Sequence, residues 1–141
     1  MTETILREMT PNDHETVHAL WRRTDGVGLS EADTWENIAA FLHRNPGFSH
    51  VALTGGVLSG VILCGHDGRR GYIHHLAVDS RRRRRGIGSR LVTAALSALK
   101  RAGIGKCHLF VFADNREGIA FWENIHWKLR RDLVMMSHRL P

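Results

Sequence analysis

Three β-rich runs follow one another through the middle of the chain: "FSHVALT", "VLSGVILCGH" and "GYIHHLAV". Their Val, Ile, Phe and Tyr content suits a pleated surface packed on at least one side. Gly55-Gly56 separates the first two, and Asp67-Gly68 begins the gap before the third. Glycine supplies the left-handed backbone that tight hairpins need, so these gaps join antiparallel neighbours. The pattern predicts a three-stranded meander. The rest of the chain must cover its faces, because a half-buried sheet is stable only against another layer.

On either side the hydrophobic period changes. Residues 3–8 read as a short strand. Thr10, Pro11 and Asp13 then form a helix start, with a hydroxyl cap, a proline in the first turn and an acid near the dipole's positive end. Val17, Leu20, Trp21 and Thr24 recur at helical spacing until "DGVG" at 25–28 breaks the run. Ser30 is expected to cap a second helix, with Trp35, Ile38, Ala39 and Leu42 as its apolar stripe and Pro46-Gly47 as its stop. Further on, Ile87, Leu91, Val92, Ala95, Leu96 and Leu99 share one helical face, and Gly103 ends that helix. "KCHLFVF" at 106–112 reads as a buried strand, "DNREGIAFWENIHW" as a helix and "LRRDLVMMSHRL" as a last strand. Trp21, Trp35, Met135 and Met136 are expected in the core. The order is β-α-α-β-β-β-α-β-α-β. This is an α/β (α+β) fold, a central mixed sheet flanked by helices, in a single domain spanning residues 1–141.

No apolar run approaches the ~18 residues of a membrane span. The start, "MTETILREMT", lacks a signal-peptide core, so a cytoplasmic protein is expected. Cys64 and Cys107 sit in strand-like stretches without a CxxC and read as buried free thiols. Net charge is +6, and five consecutive arginines at 81–85 supply most of it. Basicity this local fits one compact anion better than a long polyanion.

Those arginines open the segment "SRRRRRGIGSRL", which joins a strand ending at Val78 to a helix starting near Gly86. Helix starts present free N–H groups and a favourable dipole to anions. Glycines at 86 and 88 let a phosphate approach the backbone, and arginines add charge-assisted bonds. No lysine follows Gly88, so this is not a Walker loop. Leu91 stands where a dinucleotide fingerprint needs its third glycine. A glycine-eased turn with solvated arginines is the plainer alternative.

At this point "HHLAVDSRRRRRGIGSRLV" resembles the Gcn5-related N-acetyltransferases. Their pattern is an apolar strand ending Leu-Ala-Val, a short loop and Arg/Gln-x-x-Gly-x-Gly/Ala opening a helix. Arg83, Gly86 and Gly88 take the named positions. "NREGIAFWENIHW" is similar to the family's second segment, with Asn115, Phe121 and Trp127 matching. The element order also matches, and the short form resembles small bacterial YpeA-like or RimI-like members. The resemblance implies that acetyl-coenzyme A is the co-substrate, lying where the fourth and fifth strands splay. Its arm would pair with Leu76, Ala77 and Val78, and its diphosphate would sit on Arg83, Arg84, Arg85, Gly86, Ile87, Gly88 and Ser89. Asn115 and Phe121 would reach it from the following helix. The segment "TDGVGLS" at 24–30 would line the acceptor pocket.

The implied reaction is direct attack of a primary amine on the thioester, with a backbone N–H near Val78 as oxyanion donor. An alkylamine must first lose a proton. The family places its base on the fourth strand, at positions held here by His74 and Tyr72. His75 should face the other way unless a bulge shifts the register. Trp122 stands where the family carries its tyrosine acid, and an indole N–H donates a hydrogen bond without being a useful acid. His126 replaces the usual glycine nearby, so that turn is open to another shape. No metal site is expected: His66, His74 and His75 lack a placed carboxylate and adjacent histidines diverge. The partners expected are acetyl-coenzyme A and an amine acceptor, small molecule or protein, with a homodimer as a common form among relatives. No nucleic acid or membrane partner is expected. The competing readings are an acyl-coenzyme A sensor or non-catalytic binding module of the same fold, and a structural subunit of a larger complex.

Overall fold

A computed structural model describes residues 2–141. The chain divides into two compact units, one through Phe110 and one from Val111 to Pro141. The first unit carries one five-stranded sheet in the order β1-β2-β3-β4-β5. These strands are β1 (Thr4–Glu8), β2 (His50–Thr54), β3 (Val57–His66), β4 (Gly71–Val78) and β5 (Cys107–Leu109). The meander read from the sequence is present: β1 to β4 pair antiparallel with their sequence neighbours, and β5 joins β4 in parallel.

Helix α1 (His14–Arg22) follows a 3₁₀ turn over Pro11–Asp13. The turn is fixed from both sides, because the Thr10 N–H donates to the Asp13 carboxylate at 2.8 Å and Arg7 grips the same carboxylate at 2.7 and 2.8 Å. Ser30 and Asp33 form the expected capping box, but it closes a second 3₁₀ turn, Glu31–Asp33. Thr34 caps α2 (Trp35–Arg44) instead, accepting the Asn37 N–H at 3.3 Å. The core on this face joins Val17, Leu20 and Trp21 of α1, Ile38 and Leu42 of α2, and Val51, Val61, Leu63 and Ala77 of the sheet. Helix α3 (Ile87–Arg101) buries Ile87, Leu91, Val92, Ala95 and Leu99 and packs against β2, β3 and β4.

The second unit contains α4 (Arg116–Asn124). Its end answers the question raised by His126, which takes φ 75°. The His126 N–H bonds Glu123 O at 3.0 Å and the Trp127 N–H bonds Trp122 O at 2.9 Å. That is the Schellman pattern glycine usually serves. Gly103 makes the same pair of bonds after α3, to Lys100 and, through Ile104, to Leu99. The turn keeps its shape with a histidine in a strained conformation.

Three expectations need correcting. Residues 128–141 form no strand, and Leu133, Val134, Met135 and Met136 are 60–91% exposed rather than core. A strand exists only through a ladder partner, and four consecutive apolar residues specify no face. Trp35 is also exposed, since it is the first residue of α2 and lies beyond the buried stripe. β5 is three residues long, shorter than the run at 106–112 suggested.

Two stability outcomes follow. Leu20→Ala, at a site 1% exposed, is expected to cost about 2–5 kcal/mol in urea unfolding, whereas Val134→Ala shifts stability by less than about 0.5 kcal/mol. His126→Gly is expected to stabilise the protein by about 1 kcal/mol, the left-handed penalty released, measured by the same transition.

Candidate active site

β4 pairs with β3 along its length but with β5 only over Gly71–Ile73. Among the described residues, no strand of the sheet neighbours the β5 side of β4 from His74 to Val78. The Asp79 N–H donates to Ser59 O at 2.9 Å. Amide direction alternates along antiparallel strands, so the N–H and C=O of Val78 turn to the open side. The Val78 carbonyl accordingly accepts Arg83 Nε at 3.4 Å. This edge can take an extended chain of amides as an added strand.

A bulge interrupts β4. His74 faces Leu63 and Ala77 faces Val61, so His75 and Leu76 together oppose Ile62. His75 takes φ 50° to accommodate the extra residue. The result is that both histidines lie on the α1/α2 face. His74 packs edge-on to Phe41 at 5.9 Å between ring centroids, and His75 packs on Trp21 at 4.9 Å. A straight strand would have sent them to opposite faces. The condition attached to His75 in the sequence is therefore met.

His74 and Tyr72 line a groove of about 180 Å³ with Phe41, Arg44, Asn45, Gly65, His66 and Asp67. Tyr72 stacks between His74 and Phe110, each at 6.5 Å. Burial, reinforced by neighbouring His75 and opposed by Asp33, lowers the His74 pKa below its ordinary value. The neutral imidazole keeps a lone pair for a proton. His75 is differently placed: its Nε2 meets Asp33 Oδ1 at 2.8 Å. The sequence reading missed Asp33 as a buried partner. Its only signal, Ser30-x-x-Asp33, was indistinguishable from an ordinary cap.

The arginine segment separates into two parts. Asp79 caps the 3₁₀ turn Ser80–Arg82, accepting the Arg81 N–H at 3.0 Å and its guanidinium at 3.1 Å. Those bonds hold the Asp79 carboxyl down at about 2. Arg81 is thus spent on structure. Arg83, Arg84 and Arg85 are exposed, as are Gly86 and Ser89, while Ile87 and Gly88 are buried. Arg84 (φ 62°) and Gly86 (φ 77°) are both left-handed, and no side chain caps α3. The first amide to bond back is Arg90, to Gly86 O at 3.0 Å. Those of Ile87, Gly88 and Ser89 lack helical partners. A Cβ at Gly86 would meet nothing within 4 Å, so the helix start stands in open space that a diphosphate can fill.

In the second unit, Asn115 Oδ1 accepts the Gly118 N–H at 3.0 Å and so caps α4. Phe121 lies edge-on to Trp122 at 5.2 Å, and Trp122 to Trp127 at 4.8 Å. Among the described residues no group of three His, Cys, Asp or Glu is placed to hold a metal ion, and no helix is long and apolar enough to cross a membrane.

The family model described as Acetyltransferase (GNAT) family matches residues 14–127. An acetyltransferase of Pectobacterium atrosepticum is 30% identical over 96% of this chain and 94% of its own. N-alpha-acetyltransferase 30 of Xenopus laevis is 34% identical over 69% of this chain but only 37% of its own length. Among solved structures, Ard1 from Thermoplasma volcanium superposes at TM-score 0.78 with 28% identity, covering 90% of this chain and 84% of its own. The PaiA N-acetyltransferase of Thermoplasma acidophilum, solved with coenzyme A, superposes at 0.81 with 19% identity over 91% of each chain, a likeness of fold. The chain belongs to the acetyltransferase (GNAT) family and is an N-acetyltransferase that uses acetyl-coenzyme A.

Proposed function

We propose that the acetyl donor lies along the open edge of β4, with its diphosphate on the start of α3, and that His74 takes the proton from a peptide α-amine in the adjoining groove. One observation carries this reading: a strand edge without a partner runs directly into a helix start without a cap, within residues 74–89. Bound acetyl-coenzyme A supplies a thioester. Leu76, by family resemblance, and Val78 offer amide partners to its arm, and the Val78 N–H is the donor for the acetyl oxygen as it gains charge. Arg83, Arg84 and Arg85, with the amides of Ile87, Gly88 and Ser89, meet the diphosphate. Asn115, Phe121 and Trp122 remain the second unit's candidates, by family resemblance. The family model runs from 14 to 127, across the division at 110, which supports the two units working as one acetyltransferase domain.

His74 is the favoured base because burial keeps it neutral and it lines the groove. Tyr72 walls the same groove, stacked on His74. Trp122 cannot deliver a proton to the departing sulfur, so that proton comes from water. A peptide α-amine is favoured by the 34% identity to N-alpha-acetyltransferase 30, whereas the aminoglycoside acetyltransferase likeness, at 19% identity, is one of fold. The sensor reading is not favoured, since a neutral histidine beside the open edge has no part in binding coenzyme alone.

Gly86→Glu is expected to abolish acetyl-coenzyme A binding in calorimetry, because a carboxylate would occupy the phosphate position. Unchanged affinity would overturn the placement. With the peptide Met-Val-Asn-Ala-Leu as acceptor, His74→Ala should lower kcat by roughly 10²–10⁴-fold and leave coenzyme affinity within about twofold. Because the His74 pKa is lowered, its base form persists into mildly acid solution, and the acid limb of kcat/KM should lie below the ordinary imidazole value of 6.5. Free-thiol release across pH checks both, and a limb retained in His74→Ala would reassign the base.

A further inference from the structure

Strand β3 runs on to His66 beyond its last pairing with β2, which sets His50 opposite Ile62. Over that stretch side chains take the place of the missing strand. Ser49 Oγ accepts the Cys64 N–H at 2.9 Å and donates to the Cys64 carbonyl at 3.3 Å. Further along the same edge, Asn45 Oδ1 accepts the His66 N–H at 3.1 Å. The other end of that side-chain amide turns to α2. Asn45 Nδ2 donates to the Phe41 carbonyl at 3.2 Å, and the Asn45 backbone N–H donates to the same carbonyl at 3.0 Å. One donor and one acceptor are needed here, and an amide carries both. Asn45 is 5% exposed.

Two features separate Asn45 from a plain edge cover such as Ser49. Its bonds join opposite walls of the groove, since Phe41 lines one wall and His66 the other, with Asn45 itself among the lining residues. And the strand is cut away beneath it. A Cβ at Gly65 would stand 2.6 Å from Asn45 Cγ, so only glycine lets the amide lie this close to β3. Phe41 in turn packs edge-on to His74 at 5.9 Å between ring centroids. The separation of α2 from β3 therefore governs how closely Phe41 covers that imidazole.

We infer that Asn45 is a positioning residue: by bridging the Phe41 carbonyl and the His66 N–H it fixes the width of the groove and the seat of Phe41 on His74, and so sets how tightly the acceptor is held. The inference rests on the reading of that groove as the acceptor site. Asn45 takes no part in proton transfer, because both ends of its amide are engaged by the protein. Loss of the bridge would leave the His66 N–H without its partner and free the last turn of α2, which carries Phe41 and Arg44, from the sheet.

The test compares Asn45→Ala with Ser49→Ala. Both remove a side chain that covers the edge of β3, so both should lower the urea midpoint. Only Asn45→Ala should raise KM for Met-Val-Asn-Ala-Leu, by at least about tenfold, with kcat within about threefold and acetyl-coenzyme A affinity within about twofold. A second readout needs no acceptor: titration of the His74 ring proton by NMR. The charged or titratable groups around that ring are Asp33, Arg44, His66, Asp67, Tyr72 and His75, and burial holds its pKa below the ordinary value. Release of Phe41 in Asn45→Ala should move that titration upward, whereas Ser49→Ala should leave it in place. Gly65→Ala, whose methyl displaces the amide from the strand side, should reproduce both changes. An equal rise of KM in Ser49→Ala and Asn45→Ala would overturn the inference. So would a His74 titration unmoved in both Asn45→Ala and Gly65→Ala. A shifted titration at constant KM would uphold the bridge and overturn the groove as the acceptor site.

Discussion

The site depends on backbone hydrogen bonding left incomplete. β5 contributes three residues to the sheet and stops, so β4 continues past it with amides that no strand satisfies. Buried or half-buried peptide groups demand partners, and here the chain supplies none from its sheet. A few residues later α3 begins without a side-chain cap, leaving further amides free. Both deficits have the same remedy, a ligand that carries amides and phosphates in sequence along one path. On the proposed placement, acetyl-coenzyme A would stand in for the strand and the cap that the fold lacks there.

A bulge of one residue decides where the two histidines beside that edge lie. Without the extra residue between His74 and Ala77, His74 and His75 would divide between the two faces. With it, one histidine meets Phe41 and lines a groove, while the other meets Trp21 and Asp33. The same shift brings Ala77 into the core with Leu20 and Trp21. The strain at His75 is thus coupled to the packing of α1 on the sheet, and the hydrophobic contacts of that face hold it in place.

Much of the architecture was legible because it rests on local rules. The hairpins at 55–56 and 67–68, the face of α3 and the stop at Gly103 each follow from residue spacing and turn chemistry. The boundary of the cap before α2 was misread, because Ser30-x-x-Asp33 and Thr34 are both valid starts and only packing separates them. The terminal run at 133–136 was misread for a different reason: its residues favour strands, but strand formation is a property of a pair, and the sequence does not say whether a partner is present.

The sequence alone determined the arginine run and the Gly-x-Gly spacing at the start of α3, since these are covalent facts that act through the backbone immediately around them. It also determined the element order and the histidines available on β4. Tertiary structure decided which way those histidines point, that Arg81 is consumed by Asp79 while Arg83 to Arg85 are left exposed, and that Asp33 lies beneath His75, forty-two residues away in the chain. The physical reason is range. A cap or a turn is settled within four residues, whereas a bulge register and a buried side-chain hydrogen bond are settled by the simultaneous packing of a helix, a loop and a strand.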